Sequence, residues 1–237
     1  MKPKFFYLSL LFCIPLCSFL LKSPQDNQAP IVKITNPQPN ATFDPAAPIS
    51  YKITVSDKED GESKFDEINV KEVLLEVKYI SAKSKMAISS KTIPPDPPGL
   101  AVMRTSNCFN CHNFNSKSIG PSFYDIGKRH PATKANIDSL IKRIKQGSAG
   151  IWEGREKMPA HPELSADEIK STVQWIMKNA LNPDVTYYIG AEGTFKVDPN
   201  KKGTYLLTAS YIDHGQKNNP KVQRLKGQDV VVFTPKK

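Results

Sequence analysis

The spacing of apolar and polar residues changes three times along the chain. From Phe5 to Leu21 the sequence is almost wholly apolar, with Lys2 and Lys4 before it and Lys22 after it. The polar run Ser23-Pro24-Gln25-Asp26-Asn27-Gln28 follows. A basic start ahead of an apolar run is the pattern of an export signal. Interrupted by Pro15, the run falls at the short limit for a spanning helix. No small-x-small cleavage site follows it, and the bulky Leu16 ahead of Cys17 makes a poor lipidation site. Residues 1–22 are therefore an export signal or membrane anchor, with cleavage, retention and lipidation all open.

Between residues 29 and 93 the period drops to two. Ile31-Val32-Lys33-Ile34 is a short strand, and Ile49-Ser50-Tyr51-Lys52-Ile53-Thr54-Val55 alternates as a half-buried strand does. Val70 to Ile80 offers another strand, and turns are predicted at 36–40 and 57–61. Pro94-Pro95-Asp96-Pro97-Pro98-Gly99 breaks regular structure and reads as a rigid linker. Residues 99–182 switch to helical spacing. Leu100-Ala101-Val102-Met103 begins a short helix, Ile137, Leu140, Ile141 and Ile144 share a face, and Gly147 stops that helix. Ser165-Ala166-Asp167-Glu168 is a capping box, since serine oxygen and glutamate carboxylate can each satisfy a free amide at a helix start. Ile169, Val173, Ile176 and Ala180 form the stripe behind it. Residues 187–237 return to β, with strands at 193–197, 204–211 and 229–233.

Neither β segment is long enough to build a core alone. Together they supply about seven strands, the number in an immunoglobulin-like sandwich. The predicted fold class is multidomain α and β: an all-α domain (99–182) inserted in a β-sandwich made of 29–93 and 187–237. A loop insertion costs little closure entropy when its ends lie close. Two consecutive domains with a loosely packed tail are the alternative.

Chemistry concentrates at Cys108-Phe109-Asn110-Cys111-His112. The only other cysteines are Cys13 and Cys17, so the exported part has no thiol to spare for a disulfide. Structural zinc would need a second ligand pair, and a thioredoxin-like dithiol would need a βαβ setting. Neither accompanies this motif. C-x-x-C-H is the pattern of covalent haem attachment: each thiol can add to one vinyl group, and the adjacent histidine lies where it can bind iron.

Residues 100–181 resemble the small bacterial class I cytochromes c. The ordered set is CFNCH, Gly120-Pro121, GSAGIW ending at Trp152, Met158-Pro159, and the closing SADEIKSTVQWIMK. The resemblance implies one haem c, with Cys108 and Cys111 in thioether bonds and His112 and Met158 as iron ligands. It implies that Gly120 and Pro121 form the segment beside His112, the Pro121 carbonyl accepting from its ring. It gives Trp152 a hydrogen bond to a haem propionate. Ile119, Phe123, Ile126, Leu140, Ile144, Ile151 and Ile176 would wall the pocket. This chain departs from the pattern in the charged loop Glu153-Gly154-Arg155-Glu156-Lys157 and in His161, which stands where some relatives have asparagine. A saturated His/Met pair leaves no site for substrate, so the implied function is an exported carrier of single electrons rather than an enzyme. A peroxidase-like activity from a labile Met158 is the enzymatic alternative, and a sandwich-based binding adaptor is a third.

The β segments resemble the PKD-like or immunoglobulin-like repeats of exported bacterial proteins, through NQAPIVKITNPQPNATF, PISYKITVSDKEDGE and GTYLLTASYIDHG. Similar modules accompany extracellular sugar dehydrogenases, which implies redox proteins as partners, a sugar dehydrogenase or respiratory complex among them. Asp57, Asp60 and Asp213 form a candidate calcium cluster at one end of the sandwich, ordinary polar turns being the preferred reading. His130 and His214 read as surface loop residues. The net charge of +10 is spread along the chain, with twelve Lys/Arg against seven Asp/Glu in 100–182. Such a surface can steer an acidic partner. Dispersed charge on an exported chain argues against nucleic acid. The expected location is periplasmic or otherwise extracytoplasmic.

Overall fold

The computed structural model describes residues 27–81, 94–152, 156–216, 219 and 221–236. The expected export signal lies outside the described residues, as does part of the charged 153–157 loop. Among the described residues no helix is long and apolar enough to cross a membrane.

Five strands precede the helical segment: β1 (Ile31–Asn36), β2 (Thr42–Phe43), β3 (Ile49–Asp57), β4 (Gly61–Glu62) and β5 (Leu74–Ile80). Four helices follow: α1 (Pro98–Thr105), α2 (Phe123–Arg129), α3 (Lys134–Gln146) and α4 (Ala166–Asn179). The chain then returns to β6 (Val185–Ile189), β7 (Glu192–Phe195), β8 (Thr204–Ile212) and β9 (Lys226–Pro235). One sheet runs β1-β3-β4, with β7 also paired to β3; the other runs β2-β9-β8-β5-β6. Strands from both sides of the helical segment enter each sheet: β7 lies on β3, β6 and β8 lie on β5, and β2 runs parallel to β9.

The alternation of β3 produces this arrangement. Every second residue from Ile49 to Asp57 is buried, so Ile53 and Val55 meet Leu75, Leu207 and Phe233 from the facing sheet in a shared core. The expected strand at 70–80 is shorter than its apolar run. Asn69 accepts the Lys71 N–H through its side chain and folds Val70–Glu72 into a 3-10 turn, so the strand begins at Leu74. Pro98, placed in the linker by its sequence, instead occupies the first turn of α1, where a missing N–H costs nothing. Strand β6 begins two residues ahead of the expected 187–237 segment.

Two features hold the helices on the second sheet. The first is apolar. Leu75 and Val77 face the shared core, whereas Leu74 faces the other way, into a cluster with Leu100, Met103 and Trp175. Val185 and Tyr187 on β6 join it, and the Tyr187 ring lies 5.0 Å from Phe114 and 5.2 Å from Trp175. The β5–β6 edge is therefore covered on both faces. Each such large apolar side chain contributes about 2 kcal/mol when buried.

The second feature is polar. Arg104 on α1 donates to Asp96 (2.9 Å), to the Ser210 hydroxyl (3.0 Å) and to the carbonyls of Glu72 and Ser210 (both 3.2 Å). Asp96 also accepts from Lys226 at 2.6 Å. The Arg104 and Asp96 side chains are only 6% and 5% exposed. A guanidinium so placed must satisfy several donors at once, and the planar fork of arginine suits four oxygens on three separate segments.

Arg104→Ala leaves Asp96 buried with Lys226 as its remaining cation. The expected loss is about 3 kcal/mol of unfolding free energy, at the low end for breaking a buried pair. Denaturant unfolding measures it, with Lys134→Ala as the control. The Lys134–Asp138 pair is 90% and 57% exposed, and its removal is expected to leave the midpoint unchanged.

Candidate functional site

The four helices found among the described residues, with residues 148–152 and 156–158, surround a cavity of about 600 Å³. Its walls are mostly carbon. Helix α3 shows why the space exists: Ile137, Leu140, Ile141 and Ile144 share a face, yet no residue of the helix is fully buried. Leu140 and Ile144 pack only in part against Leu164, Ile169 and Val173, and also border the cavity. All seven apolar residues expected from the sequence line it, from Ile119 and Phe123 to Ile151 and Ile176. Met103, Leu164, Val173 and Met177 line it too. Helical spacing with Leu100 and Ile176 was the available signal for Met103 and Val173.

One wall is built by the cysteine–histidine motif. Asn107 adopts a left-handed conformation (φ 57°), and Cys108–Asn110 form a single 3-10 turn. The N–H groups of Cys111 and His112 both bond the Cys108 carbonyl, so both cysteines and His112 border the same cavity. Burial pushes the Cys108 thiol up to about 11, and the neighbouring Cys111 acts in the same direction. Dithiol redox chemistry relies on a depressed thiol pKa, the opposite of the direction at Cys108.

His112 is 9% exposed, and its ring stacks on Phe123 with centroids 5.4 Å apart. Nδ1 lies 2.7 Å from the Pro121 carbonyl oxygen. A carbonyl can only accept, so Nδ1 carries the proton and the lone pair of the neutral ring resides on Nε2. Burial pushes this imidazole below its ordinary pKa, opposed by the bond to Pro121. Gly120 explains itself by contact: a Cβ there would stand 2.5 Å from His112 Cε1 and 2.9 Å from Nδ1. The Gly120 N–H bonds the Cys111 carbonyl at 2.8 Å, which closes the segment back on the motif.

Met158 reaches the cavity from the loop after α3. It is held by a two-way backbone bridge with Ser148, at 3.0 and 2.9 Å. Gly147 (φ 79°) makes the close approach possible, because a Cβ there would meet the Met158 carbonyl at 2.9 Å. His161 also borders the cavity; its N–H bonds the Ile144 carbonyl at the end of α3, and its Nδ1 lies 2.9 Å from Glu163.

Trp152 borders the same space with cations beside it. The Arg129 guanidinium lies 4.6 Å from the Trp152 ring centre, and His130 packs edge-on to that ring. Arg143 approaches His130 Nε2 at 3.4 Å and also lines the cavity. His130 is thus a cavity residue, not the plain surface histidine expected: α2 ends at Arg129, and the turn into α3 brings it inward. His214 is a loop residue as expected, but a paired one, bridging Asp60 (3.0 Å) and Glu72 (3.1 Å).

Each residue expected at the site therefore meets one cavity: Cys108, Cys111, His112, Gly120, Pro121, Trp152 and Met158. Two thiols, an imidazole with a free lone pair and a thioether share an apolar space with guanidinium groups. That donor set fits a haem: an apolar ring, iron that takes nitrogen and sulfur, and two acidic arms.

Residues 98–180 match the family model described as cytochrome c. The chain is 34% identical over 76 residues to cytochrome c-552 of Hydrogenobacter thermophilus, covering 32% of this chain and 76% of that protein. It is 33% identical over 79 residues to cytochrome c-551 of Azotobacter vinelandii, covering 33% of this chain and 94% of that one. The crystal structure of cytochrome c552 from Nitrosomonas europaea is similar at 29% identity with a TM-score of 0.32, over 33% of this chain and 96% of the other.

Gly120→Ala is expected to drive the His112 ring off the Pro121 carbonyl, since Cβ and Cε1 cannot occupy the observed positions. The cost should be about 1–3 kcal/mol, as for other overpacking changes, read from thermal unfolding of the mature protein.

Proposed function

The chain belongs to the cytochrome c family through residues 98–180, and we propose on that footing how its own residues make it an exported electron carrier. It is a c-type cytochrome that transfers electrons by means of one covalently bound haem c. The haem supplies a one-electron iron couple; the chain does the rest. Cys108 and Cys111 are the attachment residues. His112 would be one iron ligand, aligned by the Pro121 carbonyl that fixes its tautomer and raises its basicity. Met158 would be the second, carried by the bridge to Ser148. The single observation that carries this reading is one apolar cavity bordered by both cysteines, His112 and Met158.

With His112 and Met158 both available as donors to the haem iron, the chain would leave no position for a substrate, which suits electron transfer rather than catalysis. Apolar walls exclude water, which keeps reorganisation small, and a thioether ligand favours the ferrous state. Trp152, with Arg129 and Arg143 nearby, is suited to receive the acidic arms of the ring. The partners are redox proteins, and a sugar dehydrogenase or respiratory complex is the kind proposed.

For the remainder of the chain we propose an immunoglobulin-like sandwich formed by 29–93 and 187–237, with 99–182 as an insertion in it. The pairing of β3 with β7 and of β5 with β6 and β8 supports that division. Residues 1–22 act as export signal or anchor in this reading, which places the protein outside the inner membrane.

Protein made in a host able to attach haem should weigh one haem more than its polypeptide and give a low-spin c-type spectrum. Met158→Ala should abolish the sulfur-to-iron band of the oxidised form and lower the potential by roughly 0.1 V, a fraction of the ~0.8 V range set by axial ligands. A high-spin native protein that binds carbon monoxide readily, or turns over peroxide well above free haem, would exclude the carrier reading.

A further inference from the structure

At one end of the two sheets, four pieces of chain meet away from the cysteine–histidine motif. Asp57 is the last residue of β3, Asp213 follows β8, and Glu59 lies in the turn after β3. Antiparallel pairing of Ile31 with Ser56 brings the residues ahead of β1, Asn27 included, alongside that turn. Asp57, Asp60 and Asp213 are the candidate calcium cluster set against ordinary polar turns, and the charges of Asp60 and Asp213 both act on Asp57. They do not act as a trio. Asp60 is committed to protein partners: its Oδ2 accepts from the Tyr211 hydroxyl (2.8 Å) and the His214 N–H (2.9 Å) and pairs with the His214 ring (3.0 Å). Among the described residues no three His, Cys, Asp or Glu side chains form a metal-holding group.

Asp57 and Asp213 behave differently. Asp213 is fully buried; its Oδ1 accepts from the N–H groups of Gly215 (2.9 Å) and Leu225 (2.8 Å), and its Oδ2 accepts from Asn27 Nδ2 (2.8 Å). The same Asn27 nitrogen donates to the Gln223 carbonyl at 3.0 Å. Two acceptors therefore fix which end of the amide is nitrogen, and Asn27 Oδ1 is left buried with no hydrogen-bond partner. Asp57 is 6% exposed. Its Oδ1 accepts from the Glu59 and Asp60 N–H groups, whereas its Oδ2 is buried and unpartnered. Glu59 Oε2, in the same turn, is a further buried oxygen with no partner.

Buried oxygens are normally paired, so the orphaned oxygens of Asn27 and Asp57, on neighbouring segments beside Asp213, call for a partner. The nearby cations do not serve. Arg224 donates to the Asp213 backbone carbonyl, and His214 is turned to Asp60 and Glu72. Burial raises the Asp57 carboxyl above its ordinary pKa, and the charges of Asp60 and Asp213 push it the same way, as expected for a carboxylate lacking a counter-charge.

We propose that Asn27, Asp57 and Asp213 bind a calcium ion that ties the start of β1 to the ends of β3 and β8. The donor set is oxygen only, which turns away zinc and copper. Carboxylates and an amide borne on loops suit the loose coordination of calcium better than the strict octahedron of magnesium. The proposal is independent of the haem.

The test uses the purified haem-loaded protein, stripped with chelator and titrated with calcium chloride or magnesium chloride by calorimetry and thermal unfolding. One calcium per chain is expected, with a midpoint that climbs as calcium is added and responds far less to magnesium. Asp57→Asn keeps the shape but removes a charge, and should weaken calcium binding roughly tenfold or more, since ligand charge tunes affinity in such sites. An unchanged haem spectrum certifies that the variant is folded. If it is not, Asn27→Ala removes one donor from a half-buried position and must also weaken binding. No heat and no midpoint shift at about millimolar calcium, the weak end for extracellular sites, overturns the proposal. So does undiminished binding by the folded variants.

Discussion

Carbon-lined space left open in a folded chain costs stability, and the helical part of this protein depends on that constraint. Its helices close around about 600 Å³ that their own side chains do not fill. An amphipathic helix such as α3, with no fully buried residue, gains little from folding until something apolar covers its face. The prosthetic group is thus the missing core of this segment as well as its redox centre. Side chains of α3 that look like mediocre core residues are the walls of that space.

Within that frame the backbone does the positioning. A single 3-10 turn brings two thiols and an imidazole to one wall, and a two-residue bridge brings a methionine from the loop after α3. Both depend on glycine for steric reasons at named atoms: Gly120 because His112 occupies its Cβ position, Gly147 because the Met158 carbonyl does. Each glycine decides whether its neighbour, His112 or Met158, can stand where it does.

The cavity residues were legible in the sequence because their signals are local. C-x-x-C-H, a capping box and an i, i+3, i+4 stripe each lie within a few residues, and the expected walls all line the observed space. What escaped was non-local. Nothing near Arg104 announces that it reaches Ser210 and Glu72, and nothing near Leu74 says that its face of β5 meets helices rather than water. His130 looked like a loop histidine because its inward turn depends on how α2 and α3 are joined. The Val70–Glu72 run reads as strand by composition, but the side chain of Asn69 offers the backbone a competing bond.

The sheathing of β5 and β6 on both sides has a consequence for traffic. Free single-haem carriers tumble and can offer their exposed edge in any orientation. Here the helical segment enters through a proline-rich stretch, leaves straight into β6, and is pinned by Arg104 along the way. Its heading relative to the sheets is set at synthesis. The side of the helical segment that packs Leu100, Met103 and Trp175 against Leu74, Val185 and Tyr187 is closed to a visiting redox protein, so the sheet acts there as a blinker.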